Sequence, residues 1–385
     1  MAQRPKNLVS EFVLWTKNID TMTAIEKICK RSKLPINKNL IQYSGTKDRR
    51  AITTQFCTTK MDLRKLYGMN KFEKSSNPNA SQIIVSDFKT VSETTQLGNH
   101  AGNLFSLVIR EIDPDILTVE RVENFKNHGF LNYFGRQRFG LFSPNPLIGL
   151  AILKEDYKSA IDMCLYPYDC KLEDWNRELR QIYVNDGLDK AISFLRDQPK
   201  SAKFSLESKL LFGMQKIQQS GQTANYAQVL SGLPKNLRTL FIHAFQSWLF
   251  NTMLNERLKL SKMNLLSGDL VQGKKDQVPK AYDENTDRGD YTISDLVLPL
   301  IGFASEIPEN LKDFLESLFQ KFGINKQNFN HRNKEFRTTG DYRKAYVKFG
   351  DDSNFKSEFV EYGDHNEDLQ SELGEWNDIK ITRML

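Results

Sequence analysis

Along the first 130 residues the apolar positions change period repeatedly. Residues 11–15 (EFVLW) are patterned as a strand, and Asp20 and Thr21 then cap a helix whose Met22, Ile25 and Cys29 share one face and which ends before Pro35. The apolar pair Ile41 and Tyr43 leads into a turn at Gly45, followed by AITTQF, where Ile52, Thr54 and Phe56 alternate with Thr53 and Gln55 as in a half-buried strand. A polar loop (KFEKSSNPNA, 71–80) precedes two more strand patterns, SQIIVSDF and GNLFSLVIREI, the second with Phe105, Leu107 and Ile109 alternating. Pro114 opens a helix with Ile116, Val119, Val122 and Phe125 at helical spacing, and Gly129 is placed to stop it. This mixture predicts an α+β sheet domain.

After about residue 141 the texture changes. Residues 145–220 are helix-rich, and 234–260 are apolar around much of the helical circumference, the pattern of a helix buried in a core. Residues 267–305 return to short strands and turns, with SGDLVQG as a hairpin element and LVLPLIGF as a strand broken by proline. No internal repeat is present.

Length adds a constraint: 385 residues exceed what one core comfortably serves, so two domains are expected. No apolar run reaches the roughly 18 residues of a membrane helix, and the first residues, MAQRPKNLVSEF, lack the apolar centre of a signal peptide, so an intracellular protein is expected. Cys29, Cys57, Cys164 and Cys170 have no metal-ligand spacing and read as reduced packing residues. Charge is uneven. Residues 351–385 hold ten acids against three cations, net −7, which leaves +13 on the preceding 350 residues out of the whole chain's +6. Such a basic body favours a polyanionic partner.

The usual nucleotide-binding motifs are absent, and the five histidines are scattered, so each reads as structural, His243 through a local hydrogen bond. Three stretches remain. In YSGTKDRRAITTQF (43–56), Asp48 sits between Lys47 and the pair Arg49/Arg50. This is either a solvated charged turn or a carboxylate kept ionised by its neighbours for nucleophilic or basic work beside an anionic substrate. In NYFGRQRFG (132–140), aromatics interleave Arg136 and Arg138, as in a packing loop or a base-stacking, phosphate-binding surface. TTGDYRKAYVKFGD (338–351) brings Arg343 and Lys344 out of a Gly-Asp turn, as a charged hairpin also would.

Together and in this order, YSGTKDRRAITTQ, GNLFSLVIR, GFLNYFGRQRFG, HAFQSWLFN, SGDLV, LPLIGF and GDYRKAYV resemble the successive signature blocks of the TruD family of RNA pseudouridine synthases, closest to its eukaryotic branch, pseudouridine synthase 7. The resemblance runs from about Phe12 to Lys348. It implies an α+β fold: a pseudouridine-synthase catalytic domain on a mixed, mainly antiparallel sheet (1–140 plus 338–385, with an acidic tail from about 351), interrupted by a helix-rich TRUD insertion domain (141–337). It implies uridine isomerisation in RNA lying between the domains: the N1 glycosidic bond breaks, the uracil turns, and C5 joins ribose C1′, with no cofactor and no metal. By the match, Asp48 acts on the ribose, by attack at C1′ or by elimination through a glycal. Phe134 stacks the flipped base and Asn132 contacts the target nucleotide. Lys47, Arg49 and Arg50 bind phosphate or orient Asp48, Arg136, Arg138 and Arg343 join the RNA surface, and Gln55 is a pocket or a packing residue. Gly45 is expected to permit the tight turn.

The implied partner is tRNA, with the D-arm uridine at position thirteen first and snRNA or mRNA as further substrates, bound by a monomer in nucleus or cytoplasm. Two family blocks that line the uridine pocket, a DFxVxE-like strand before EFVLW and an LPxxxYAT-like block near the end, are not read in this chain. The alternatives are therefore an RNA-binding paralogue with weakened catalysis, or a shortened family member.

Overall fold

The computed structural model describes residues 9–32, 40–60, 66, 80–113, 115–140, 144–168, 174–199, 202–203, 205–220, 225–273, 278–349 and 355–359. The expected acidic tail lies almost entirely outside the described residues, as do Pro114, Cys170 and most of the 71–80 loop. The chain forms two compact units, one ending at Arg110 and one beginning at Glu111. This border, where packing contacts thin, differs from residue 141, where the helix-rich texture starts.

The first unit is an antiparallel sheet in the order β2-β3-β1-β4, with β1 at Val9–Lys17, β2 at Ile41–Tyr43, β3 at Ile52–Thr59 and β4 at Gln82–Val91. Helix α1 (Thr21–Arg31) buries Ala24, Ile25, Ile28 and Cys29, an i, i+1, i+4, i+5 stripe, in one core with Phe12, Leu14, Cys57 and Val85. Met22 stands at the margin, its sulfur accepting from the Tyr43 hydroxyl. The Asp20 carboxylate caps α1 alone, accepting the Thr23 N–H at 3.0 Å; Thr21 is the first helical residue and has another role.

One expected strand does not form. Residues 103–110 pair with no strand among the described residues, and Leu104, Phe105, Leu107 and Ile109 are exposed, Leu107 by 77%. Alternation specifies a strand only when an edge is engaged to satisfy its backbone, and this segment enters none of the sheets.

In the second unit, helix α2 (Val119–His128) starts later than Pro114 suggested, because Thr118 caps it by accepting the Arg121 N–H; Gly129 ends it at φ 75°. Its apolar stripe is mostly exposed, only Phe125 joining a ring cluster with Phe130, Phe349 and Phe355. Strand β5 (Phe130–Leu131) and the short helix α3 (Arg136–Phe139) follow. The helix-rich texture is realised by α4 (Asn145–Leu153), α5 (Tyr157–Leu165), α6 (Asp174–Asp186), α7 (Leu188–Arg196), α8 (Leu206–Ser220), α9 (Tyr226–Ser231) and α10 (Lys235–Leu260). As its all-round apolarity predicts, α10 is buried, with Phe241, Phe245, Leu249, Phe250 and Met253 in the main core. His243 makes the local bond expected of it, to Gln246 Oε1 at 3.0 Å.

A second antiparallel sheet runs β7-β6-β8-β9, with β6 at Leu270–Val271, β7 at Lys280–Ala281, β8 at Leu296–Leu300 and β9 at Asp341–Lys344; helix α11 (Lys312–Phe322) lies between β8 and β9 in the chain. Pro299 does not break β8. On the β6 side only Leu296 and Val297 are paired, so the missing N–H of Pro299 costs that ladder nothing. The β8 and β9 ends are locked by glycines: a Cβ on Gly302 would lie 2.0 Å from Gly340 N, and Gly340 has φ +98°. That junction fixes where β9 carries Arg343. Strand β10 (Tyr346–Val347) then pairs with β5.

Candidate functional site

The Asp48 loop is the connection of the β2–β3 hairpin. It is tied at its ends by Gly98 N–H to Ser44 O (2.8 Å) and Asn18 N–H to Ala51 O (3.1 Å), and inside by Lys47 N–H to the Thr21 hydroxyl (2.9 Å). Beyond Lys47, the side chains of Asp48, Arg49 and Arg50 are exposed. Gly45 is not what shapes this turn: its φ is not positive, and an added Cβ would meet only His100 Nε2 at 3.7 Å, an ordinary contact. The neighbouring cations do not grip the acid either. Lys47 Nζ donates to Asn103 Oδ1, and Asp48 forms no ion pair among the described residues. The Asp48 side chain is exposed, and among the described residues no hydrogen bond holds either carboxylate oxygen. Gln55 is buried and donates its Nε2 to the Thr21 hydroxyl at 2.9 Å, which favours packing over pocket contact.

The second unit assembles the other candidates. Pairing of Leu131 with Tyr346 brings Asn132 beside the end of β9, where its N–H donates to Ala345 O and its Nδ2 to Lys344 O, both at 2.9 Å. Arg343 donates through Nε to Asn132 O (3.2 Å) and through its terminal nitrogen to Oδ1. The backbone of Phe134 is clamped by one side chain on α10, since Asn251 Oδ1 accepts from its N–H and Asn251 Nδ2 donates to its C=O, each at 2.9 Å. One turn on, Asn255 accepts from the Tyr133 hydroxyl at 2.6 Å. The Phe134 ring meets Phe250 edge-on with centroids 5.4 Å apart. The guanidinium carbons of Arg343 and Arg138 lie 4.1 Å and 5.4 Å from its centre.

Burial, and then the like charge of Arg138, lower the Arg343 pKa below its ordinary value. Two guanidiniums therefore share one ring, and neither forms an ion pair with a carboxylate among the described residues, an arrangement that favours an arriving anion. Among the described residues no group of three His, Cys, Asp or Glu side chains could hold a metal ion, and no helix is long and apolar enough to cross a membrane.

The sequence candidates thus fall into two sets. Asp48, Lys47, Arg49, Arg50 and Gln55 belong to the first unit; Asn132, Phe134, Arg138 and Arg343 form one cluster in the second, while Arg136 is exposed on α3. Sequence reading missed Thr21, whose position beside a cap residue masked its hydroxyl, and Asn251 and Asn255, an i, i+4 amide pair on α10 that was a usable signal.

A family model described as tRNA pseudouridine synthase D (TruD) matches residues 6–363. The chain is similar to the human "Pseudouridylate synthase 7 homolog", 29% identical over 358 residues, covering 92% of this chain and 50% of that protein. It is also similar to the "Multisubstrate pseudouridine synthase 7" of Schizosaccharomyces pombe, 27% identical over 387 residues, covering 93% of this chain and 55% of that one. The chain spans about half the length of these curated relatives. A solved structure from Methanosarcina mazei assigned to TruD shares its fold, with a TM-score of 0.56 and 19% identity over 90% of this chain and 79% of that one.

Proposed function

The chain belongs to the tRNA pseudouridine synthase D (TruD) family, and from that premise we propose that it isomerises uridine to pseudouridine in RNA with Asp48 as the acting carboxylate. The observation that carries this reading is the Asp48 side chain itself: exposed on a hairpin loop, free of any ion pair among the described residues, with Lys47, Arg49 and Arg50 beside it in sequence. Such an acid can reach ribose C1′, by attack or by elimination, as the N1 bond breaks and before C5 takes its place and loses its proton. Phe134 supplies the ring for the flipped base and Asn132 the amide for the nucleotide; Arg138 and Arg343 meet phosphate.

The substrate we propose is tRNA, at the D-arm uridine thirteen. The name of the fission-yeast relative supports a wider set of RNAs. The protein would work as a monomer, in nucleus or cytoplasm. Incubation with tRNA tritiated at uridine C5 should release tritium, and Asp48→Ala should abolish release while RNA binding persists. Tight binding by the wild-type chain without release would replace the enzyme with an RNA-binding paralogue. No binding at low salt would sink both.

A further inference from the structure

Thr21 opens α1, yet its hydroxyl does not serve the helix. The capping duty is filled by Asp20, which accepts the Thr23 N–H at 3.0 Å and the Thr23 hydroxyl at 2.7 Å. The Thr21 side chain, in a residue only 1% exposed, instead accepts two bonds from the hairpin: Lys47 N–H at 2.9 Å and Gln55 Nε2 at 2.9 Å. Between the end ties at Ser44 and Ala51, the Lys47 N–H bond is the one backbone anchor of the loop among the described residues, and it stops one residue short of Asp48. As oriented, Gln55 does not hold the Lys47 N–H: its Nε2 is committed to the same hydroxyl, and its Oε1 is buried without a partner.

We infer that Thr21 is a positioning residue: by holding Lys47 N–H, its hydroxyl sets the height and direction at which the hairpin presents the Asp48 carboxylate. This rests on the reading of Asp48 as the acting acid. A carboxylate that must meet one ribose carbon tolerates little displacement, a misplacement near 1 Å costing on the order of 10²-fold in rate. Removing the hydroxyl leaves Gln55 Nε2 unpaired in the core and Lys47 N–H unpaired at a half-buried position, so the loop moves to find water.

The test uses the full chain with Thr21→Val, which keeps shape and loses the hydroxyl, Thr21→Ser, which keeps the hydroxyl, and Thr21→Ala, which guards against a Val variant that fails to fold. Thr59→Val is the control: it deletes another buried hydroxyl of the same unit, bonded to Leu40 O at 2.7 Å at the far end of the hairpin. Amide exchange at Lys47 should quicken about tenfold or more in Thr21→Val and Thr21→Ala, and return to wild-type in Thr21→Ser. Turnover should fall by about 10- to 100-fold in the first two with RNA affinity unchanged, and recover in Thr21→Ser. Thr59→Val should lose stability while Lys47 exchange and turnover stay put. The inference is overturned by slow Lys47 exchange in Thr21→Val, by wild-type turnover there, by no rescue in Thr21→Ser, or by an equal loss of turnover in Thr59→Val. An inactive wild-type chain would refute the role of Asp48, while Lys47 exchange would still decide whether Thr21 holds the loop.

Discussion

Asp48 and Asp269 both stand in short glycine-containing turns and meet opposite surroundings. Asp269 is fully buried and bidentate with Arg257, each N–O distance 2.5 Å, and it also accepts from Leu266 N–H and Asn310 Nδ2, both at 2.8 Å. Arg257 gives two further donors to Ser261 O and Asn264 O. Every charge in the pair is answered, which is the condition under which a buried ion pair is tolerable. Asp269→Asn strands a buried guanidinium and should cost about 3–5 kcal/mol by urea denaturation; a loss below about 1 kcal/mol would show that the pair is not what ties α10 to the SGDLV turn. Sequence flagged both motifs and could not tell these acids apart. Local charge pointed to Asp48, but the partner that fixes Asp269 is twelve positions away on a helix whose apolar character hid its one buried arginine.

At the scale of elements, the N-terminus of α1 joins stability to the candidate site, since the Asp20 cap and the Thr21 anchor are adjacent. Burial acts to raise the Asp20 pKa, but the hydrogen bonds from the Thr23 N–H and hydroxyl, with further backbone bonds, outweigh it and leave the pKa below the ordinary aspartate value. A depressed carboxylate pKa gives stability that is fully present above the unfolded value and is lost as pH falls through the folded one. Asp20→Ala should therefore destabilise by about 1 kcal/mol at neutral pH, and the gap from wild type should close as pH falls below the ordinary aspartate range and through the lowered pKa of the folded state. A gap that stays constant down to acid-unfolding conditions would remove the cap from the account. β1, α1, β3 and the buried α10 were legible because each carries its own period and stop signals. The segment 103–110 was misread for a physical reason: its alternation is local, whereas strand formation requires a neighbour that no local pattern reports. The glycine lock between Gly302 and Gly340 was equally hidden, joining blocks far apart in sequence.

At the scale of the molecule, the excess of cations matters less than which of them are already spent. Lys280 is neutralised by Asp287 at 2.8 Å, and that bond raises the Lys280 pKa as it lowers that of Asp287. Arg238 pairs with Glu335 at 2.7 Å, and Arg257 and Arg180 are answered inside the core. Arg50 and Arg138, by contrast, form no ion pair among the described residues, one on the Asp48 loop and the other against Phe134. A phosphate that meets an unspent cation releases a counterion; one that meets a neutralised pair releases little. RNA affinity should fall steeply with salt, and Arg50→Gln and Arg138→Gln should each reduce the slope of log K against log salt by about one while weakening RNAs of different sequence alike. Lys280→Gln, which removes the same formal charge, should leave the slope in place. If Lys280→Gln flattens the slope as much as the arginine variants do, binding responds to net charge alone, and the two arginines hold no phosphate.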